Sequence, residues 1–152
     1  MEFVYSDGGR KDAGYKSSNS DCVTRAIAIA TGISYQTVYD ALSDLAQSER
    51  RGKRKRGISS PETGVYRQTY HRYILSIGWR WYPTMGIGTG CTVHLSDGEL
   101  PNGRLIVKVS RHLTTVIDGV IYDTHDPQRH TLITENYVTR VAHRCVYGYW
   151  SK

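Results

Sequence analysis

The chain has 152 residues, 39% of them hydrophobic, a length that suits one domain of about 100–150 residues with a core of its own. No run approaches the ~18 consecutive apolar residues of a membrane span, and the opening Met-Glu-Phe-Val-Tyr has neither the basic nor the apolar region of a secretory signal. The net charge is +6. Arg50, Arg51, Lys53, Arg54, Lys55 and Arg56 account for all of it, so the basicity belongs to one segment and not to a fold-wide nucleic-acid surface.

In chain order, the polar N-terminus predicts at most a short strand near Phe3–Tyr5 followed by a loop. Residues 22–31 predict a helix that is apolar on most of its surface and therefore buried, with Ser20 or Asp21 as its cap and Gly32 as its stop. A second, amphipathic helix is predicted from about Ser34 to Gln47, with Val38, Ala41, Leu42 and Leu45 on one face. After the basic run, Ser60 and Pro61 read as the cap and first position of a third helix that ends at Gly78. From Trp79 the pattern changes to strands. Trp79–Tyr82 is one, residues 84–92 form a Gly-rich loop, and 103–109 form a strong strand. Residues 112–117 and 120–125 flank the hairpin signal Asp118-Gly119, and a last strand runs from about Arg144 to Trp150. Helices followed by antiparallel strands predict one α+β domain over 1–152, its N-terminal helices packed on a C-terminal antiparallel sheet.

Three cysteines at 22, 91 and 145 contain no CxxC pair, which argues against a disulfide framework or a Cys-rich zinc site and makes a reducing cytoplasm the expected compartment. Cys91 and Cys145 read as structural. Cys22 differs, because a thiol at a helix start feels the positive end of the helix dipole, which favours thiolate. A two-residue turn at Asp118-Gly119 sets Ile117 opposite Val120, and therefore His112 opposite His125 and Thr114 opposite Asp123. His112 and Asp123 then share a face as diagonal neighbours. A carboxylate there can hold one imidazole nitrogen and leave the other for a nucleophile.

Asp21-Cys22-Val-Thr-Arg-Ala-Ile at a helix start, followed by His112 on a strand and an Asp on the next, resembles the papain-like cysteine peptidases. The likeness is closest to the small peptidase domains that process bacteriocin leaders. The stretch around Cys22 and the hairpin His112-Leu-Thr-Thr-Val-Ile-Asp-Gly119 are also similar to small phage and bacterial proteins. The likeness covers roughly 15–31 and 103–127. It implies a papain-like fold and thiol acyl transfer on a peptide or isopeptide bond of a peptide or protein substrate, with Cys22 as nucleophile, His112 as base and an acid orienting His112. The His…Asp-Pro ending of the relatives points to Asp126 as that acid. Hairpin geometry points to Asp123, which is preferred because the turn fixes the register. The family's oxyanion-hole Gln has no counterpart before Cys22; Asn19, or the Cys22 N–H with Ser20, would take its place. No metal or other cofactor is expected: Asp123, His125, Asp126 and His130 are dense but match no zinc spacing. The loop from Gly86 to Gly90 reads as a wall of a substrate cleft. A reading of another class is a small basic binding protein that meets nucleic acid or an acidic partner through residues 50–56. A third is a papain-like fold without activity.

Overall fold

The computed structural model describes residues 1–17, 20–50, 57–129 and 143–152. Its elements are β1 (Glu2–Tyr5), α1 (Cys22–Thr31), α2 (Tyr35–Gln47), α3 (Arg67–Ser76), β2 (Arg80–Pro83), β3 (Arg104–Val109), β4 (His112–Ile117), β5 (Val120–Asp123) and β6 (Val146–Ser151). Among the described residues, three helices and one six-stranded sheet make an α+β fold, with strand order β1-β5-β4-β3-β6-β2.

The sheet is mixed and not purely antiparallel, because β1 runs parallel to β5, pairing Glu2 with Val120 and Tyr5 with Asp123. An isolated four-residue strand carries no mark of its direction, and only the distant hairpin edge supplies the partner. The hairpin itself has the predicted register, with Ile117 opposite Val120 and Thr115 opposite Tyr122. Asp118 and Gly119 both sit at positive φ (48° and 81°), as a twisted two-residue turn demands.

The sheet buries both faces. Ile106, Leu113 and Trp150 pack with Ile27, Val38, Leu42 and Ile74 of the helices. Leu105, Val107, Val116 and Ile121 pack on the other side beneath Leu95. Alternation along β3 therefore fills two cores, which is why its run reads as continuously apolar. Thr115 and Arg104 tie α1 to the sheet by donating to the carbonyls of Ala26 (2.8 Å) and Ala30 (2.9 Å).

α1 starts and stops as predicted, and its stop, Gly32 at φ 75°, returns its N–H to the Ala28 carbonyl. Its cap does not. Asp21 precedes Cys22 but makes no side-chain cap bond, because its carboxylate is committed elsewhere. The third helix also begins later than Ser60-Pro61 suggests. Ser60 and Gly64 close a tight turn by exchanging backbone hydrogen bonds, Gly64 stands at φ 145°, and α3 starts only at Arg67. Thr24 of α1 holds that turn by donating to the Pro61 carbonyl at 2.9 Å. The segment 61–66 thereby lies beside the start of α1.

Cys91 and Cys145 are joined by a disulfide, against the expectation from the cysteine spacing. The bridge ties the end of the Gly-rich loop to the residue before β6, and Cys22 is the free cysteine. No helix among the described residues is long and apolar enough to cross a membrane.

Candidate functional site

The start of α1 meets the open end of the β4–β5 hairpin. His112 is the first residue of β4 and Asp123 the last of β5, and both are buried. His112 Nε2 lies 2.7 Å from Asp123 Oδ2. Cys22 stands close enough to His112 for each to change the other's affinity for the proton, and Nδ1 is the ring nitrogen that Asp123 does not engage. The His125 ring sits 5.1 Å from that of His112, as the register requires, but it is exposed.

The electrostatics favour an ion pair. Burial pushes the Cys22 thiol up, but the hydrogen bond and positive charge of His112, the Leu113 backbone and Arg25 outweigh it and bring the thiol below its ordinary value. Burial pushes His112 down, yet its bonds to Asp123 and Cys22 prevail and carry it up to about 9. For Asp123, burial is again opposed, here by His112 and by the Thr124 N–H at 2.7 Å, and its carboxyl ends below the usual range. A thiolate beside an imidazolium held by a carboxylate is an activated nucleophile with a proton donor at hand.

Behind this row lies a second layer of charge. Asp21 is fully buried and accepts from Arg25, from Arg10 at 3.0 Å and from the Tyr35 hydroxyl at 2.8 Å. Arg25, also buried, reaches Asp123 Oδ1 at 3.4 Å with its other terminal nitrogen. Burial and the Asp21 bond push the Tyr35 hydroxyl far up, so it stays a donor. The loop carrying Arg10 is fastened by Tyr15, which stacks on Tyr39 at 4.5 Å and donates to Gln36. Sequence reasoning names Asp21 only as a cap and gives Arg25 no role. The signal was present in the i, i+4 spacing of opposite charges within an otherwise apolar helix.

An open cleft of about 570 Å³ lies over the sulfur, with Ser20, Cys22, Tyr66, Arg67, Tyr70, Lys108 and His112 among its walls. Tyr70, predicted only as core, rests edge-on against Trp150 at 5.8 Å, and burial pushes its hydroxyl up to about 12, so it keeps its proton. Ser20 is exposed at the rim, and Asn19 lies outside the described residues. The first backbone N–H groups of α1 have no carbonyl to meet within the helix and are the natural donors toward a developing oxyanion at Cys22.

Asp126, the alternative third member, is not at His112. It is exposed, and its carboxylate accepts from the Gln128 backbone at 2.9 Å. The Gly86–Gly90 loop does not wall the cleft; the Thr63–Arg67 segment does. Of the basic run, Arg50 is exposed, and Arg51, Lys53, Arg54, Lys55 and Arg56 lie outside the described residues, as does His130. Glu49, just before the run in the sequence, accepts from the Ser59 N–H at 2.6 Å and from the Thr69 hydroxyl. Comparison of the chain with family models, curated proteins and solved structures gives no match.

Proposed function

We propose that the protein is a papain-like thiol acyl-transfer hydrolase, a cysteine peptidase acting on peptide or isopeptide bonds. The observation that carries this reading is the gathering of Asp123, His112 and Cys22, with 2.7 Å between carboxylate and imidazole and with Cys22 and His112 lining one open cleft and shifting each other's proton affinity. The order of the chain supports it too, since the thiol comes from a helix start and the base and its carboxylate from successive strands.

The chemistry follows from the geometry. The Cys22 thiolate adds to the carbonyl carbon, and negative charge moves to the oxygen, toward the N–H groups of the first turn of α1. The His112 imidazolium gives its Nδ1 proton to the leaving amine, the C–N bond breaks, and a thioester remains on Cys22. Neutral His112 then takes a proton from water, hydroxide displaces the sulfur, and acid and thiolate are regenerated. Asp123 keeps Nε2 engaged throughout, so that the working nitrogen always faces sulfur. The compartment proposed with this reading is the cytoplasm of a bacterial cell or host, and the Cys91–Cys145 bridge, which a reducing cytoplasm disfavours, withdraws the cysteine argument for it.

Incubation with a pool of internally quenched fluorogenic peptides tests the proposal. Cleavage that is lost in Cys22→Ala and in His112→Ala supports it. Cleavage that survives Cys22→Ala overturns the role of Cys22, and no cleavage together with a native Cys22 no more reactive toward iodoacetamide than a free thiol overturns the proposal and leaves either an inactive fold or a binding protein working through residues 50–56.

A further inference from the structure

The charged side chains that line the cleft are of one sign. The cleft carries Lys108, Arg67 and Arg111, and no carboxylate is among its walls. None of these three cations is paired with a carboxylate among the described residues. Lys108 is half-buried and donates to its neighbour's carbonyl, Val109 O, at 3.0 Å. Burial, then the nearby charges of Arg67 and Arg144, lower its affinity for the proton, although the Cys22 thiolate works the other way. The β3–β6 register shifts just after Lys108, an irregularity of the kind that re-aims a side chain beside a site. Arg67 is exposed, with its guanidinium 5.2 Å from the Trp81 ring centre. Arg111 occupies the turn between β3 and β4 at φ 57°, a conformation that favours Gly or Asn. A long cationic side chain there costs stability that a turn alone would not require.

We infer that the cleft takes a substrate bearing a carboxylate close to the bond under attack, held by Lys108, Arg67 and Arg111. A concave site lined by one sign of charge concentrates counter-charged molecules, and guanidinium groups meet carboxylates with paired hydrogen bonds. The carboxylate comes either from an acidic side chain or from a chain terminus. The inference rests on Cys22 being the reactive thiol.

Two alkylating agents that differ in one charge test it. Iodoacetate and iodoacetamide both lose iodide to a thiolate, and only the first carries a carboxylate. The ratio of their rates at Cys22, mapped by mass spectrometry and divided by the same ratio for glutathione, should exceed one by about tenfold. It should fall toward one in Lys108→Gln, in the exposed variants Arg67→Gln and Arg111→Gln, and in high salt. A ratio near one in the native protein, or one unchanged in all three variants, overturns the carboxylate inference while fast alkylation by both agents leaves the thiol reading intact. Slow alkylation by both removes the thiol reading itself. Protection of Cys22 by millimolar N-acetyl-Ala-Glu-Ala-amide assigns the carboxylate to a side chain. Protection by N-acetyl-Ala-Gln-Ala with a free terminus assigns it to a chain end. Either result supports the inference, whereas equal protection by neutral N-acetyl-Ala-Gln-Ala-amide, or protection by none of the three, overturns it.

Discussion

Five buried charged side chains meet in one connected network among the described residues: Arg10, Asp21, Arg25, Asp123 and His112. Each would be costly alone, since removing one partner of a buried pair typically costs about 3–5 kcal/mol. Arg25 is the joint, because its two terminal nitrogens serve two different carboxylates. Arg25→Lys should therefore fail to restore what Arg25→Gln loses, a compact ammonium being unable to fork. Both variants should shift the urea midpoint down by a similar amount, and a near-native midpoint for Lys would deny the bridging role. At His112 the ranking of acids is open to the same kind of test. Asp123→Asn should lower turnover by about a hundredfold or more, whereas Asp126→Ala, at an exposed side chain bonded to Gln128, should leave it nearly native. The pH dependence has a fixed sign. His112 is raised from 6.5 to about 9, so its contribution to stability is whole below about 6.5 and is lost as pH rises through about 9. Asp123 is lowered from 3.8, so its contribution is present above that value and disappears as acid protonates it. Turnover should accordingly fall on the alkaline side near pH 9, where His112 loses the proton it must give to the leaving amine, and on the acid side as Cys22 becomes a thiol.

At the scale of elements, what was legible in the sequence is what local rules determine. α1 was readable because its cap region, apolar run and Gly32 all fall within a dozen residues, and the hairpin because Asp118-Gly119 sets its own register. The thiol, the imidazole and the carboxylate of the candidate site lie on or beside those two elements. The parallel β1–β5 pairing was not legible, nor was the Cys91–Cys145 bridge, since each joins segments far apart in sequence. The delayed start of α3 was hidden by Ser60-Pro61, a good helix opening that a left-handed Gly64 turns into a tight loop. Two outcomes belong to this scale. The disulfide closes a loop spanning 54 residues, for which the chain-entropy model gives about 4 kcal/mol, so reduction should lower unfolding stability by roughly 2–4 kcal/mol in a denaturant titration. An unchanged midpoint would mean that the bridge does not restrain the chain. In β6, a Cβ on Gly148 would stand 2.3 Å from the Trp81 ring and 2.8 Å from the Tyr82 carbonyl oxygen. Gly148→Ala should therefore destabilise by about 1–3 kcal/mol through overpacking, with the loss seen in thermal melts.

Across the whole molecule, the site unites residues 22, 112 and 123, and it exists only when α1 lies across the end of the sheet. Glu49 and Ser59, on either side of the basic run in the sequence, are joined by a hydrogen bond, and Gly57 accepts from the hydroxyl of Tyr66, a wall of the cleft. If the run recruits an acidic substrate, replacing its six cations by Ser should raise KM, leave kcat nearly unchanged and be mimicked by salt. If nucleic acid is the partner, a gel shift should show salt-sensitive binding that the same replacement abolishes. The most direct test of the central claim, that Cys22 and His112 form an activated pair, is the rate of Cys22 alkylation by iodoacetamide as a function of pH. The account predicts a native midpoint clearly below the ordinary thiol value of 9.0, and a shift back toward that value in His112→Gln. A native midpoint at or above 9.0, unmoved by His112→Gln, would contradict it.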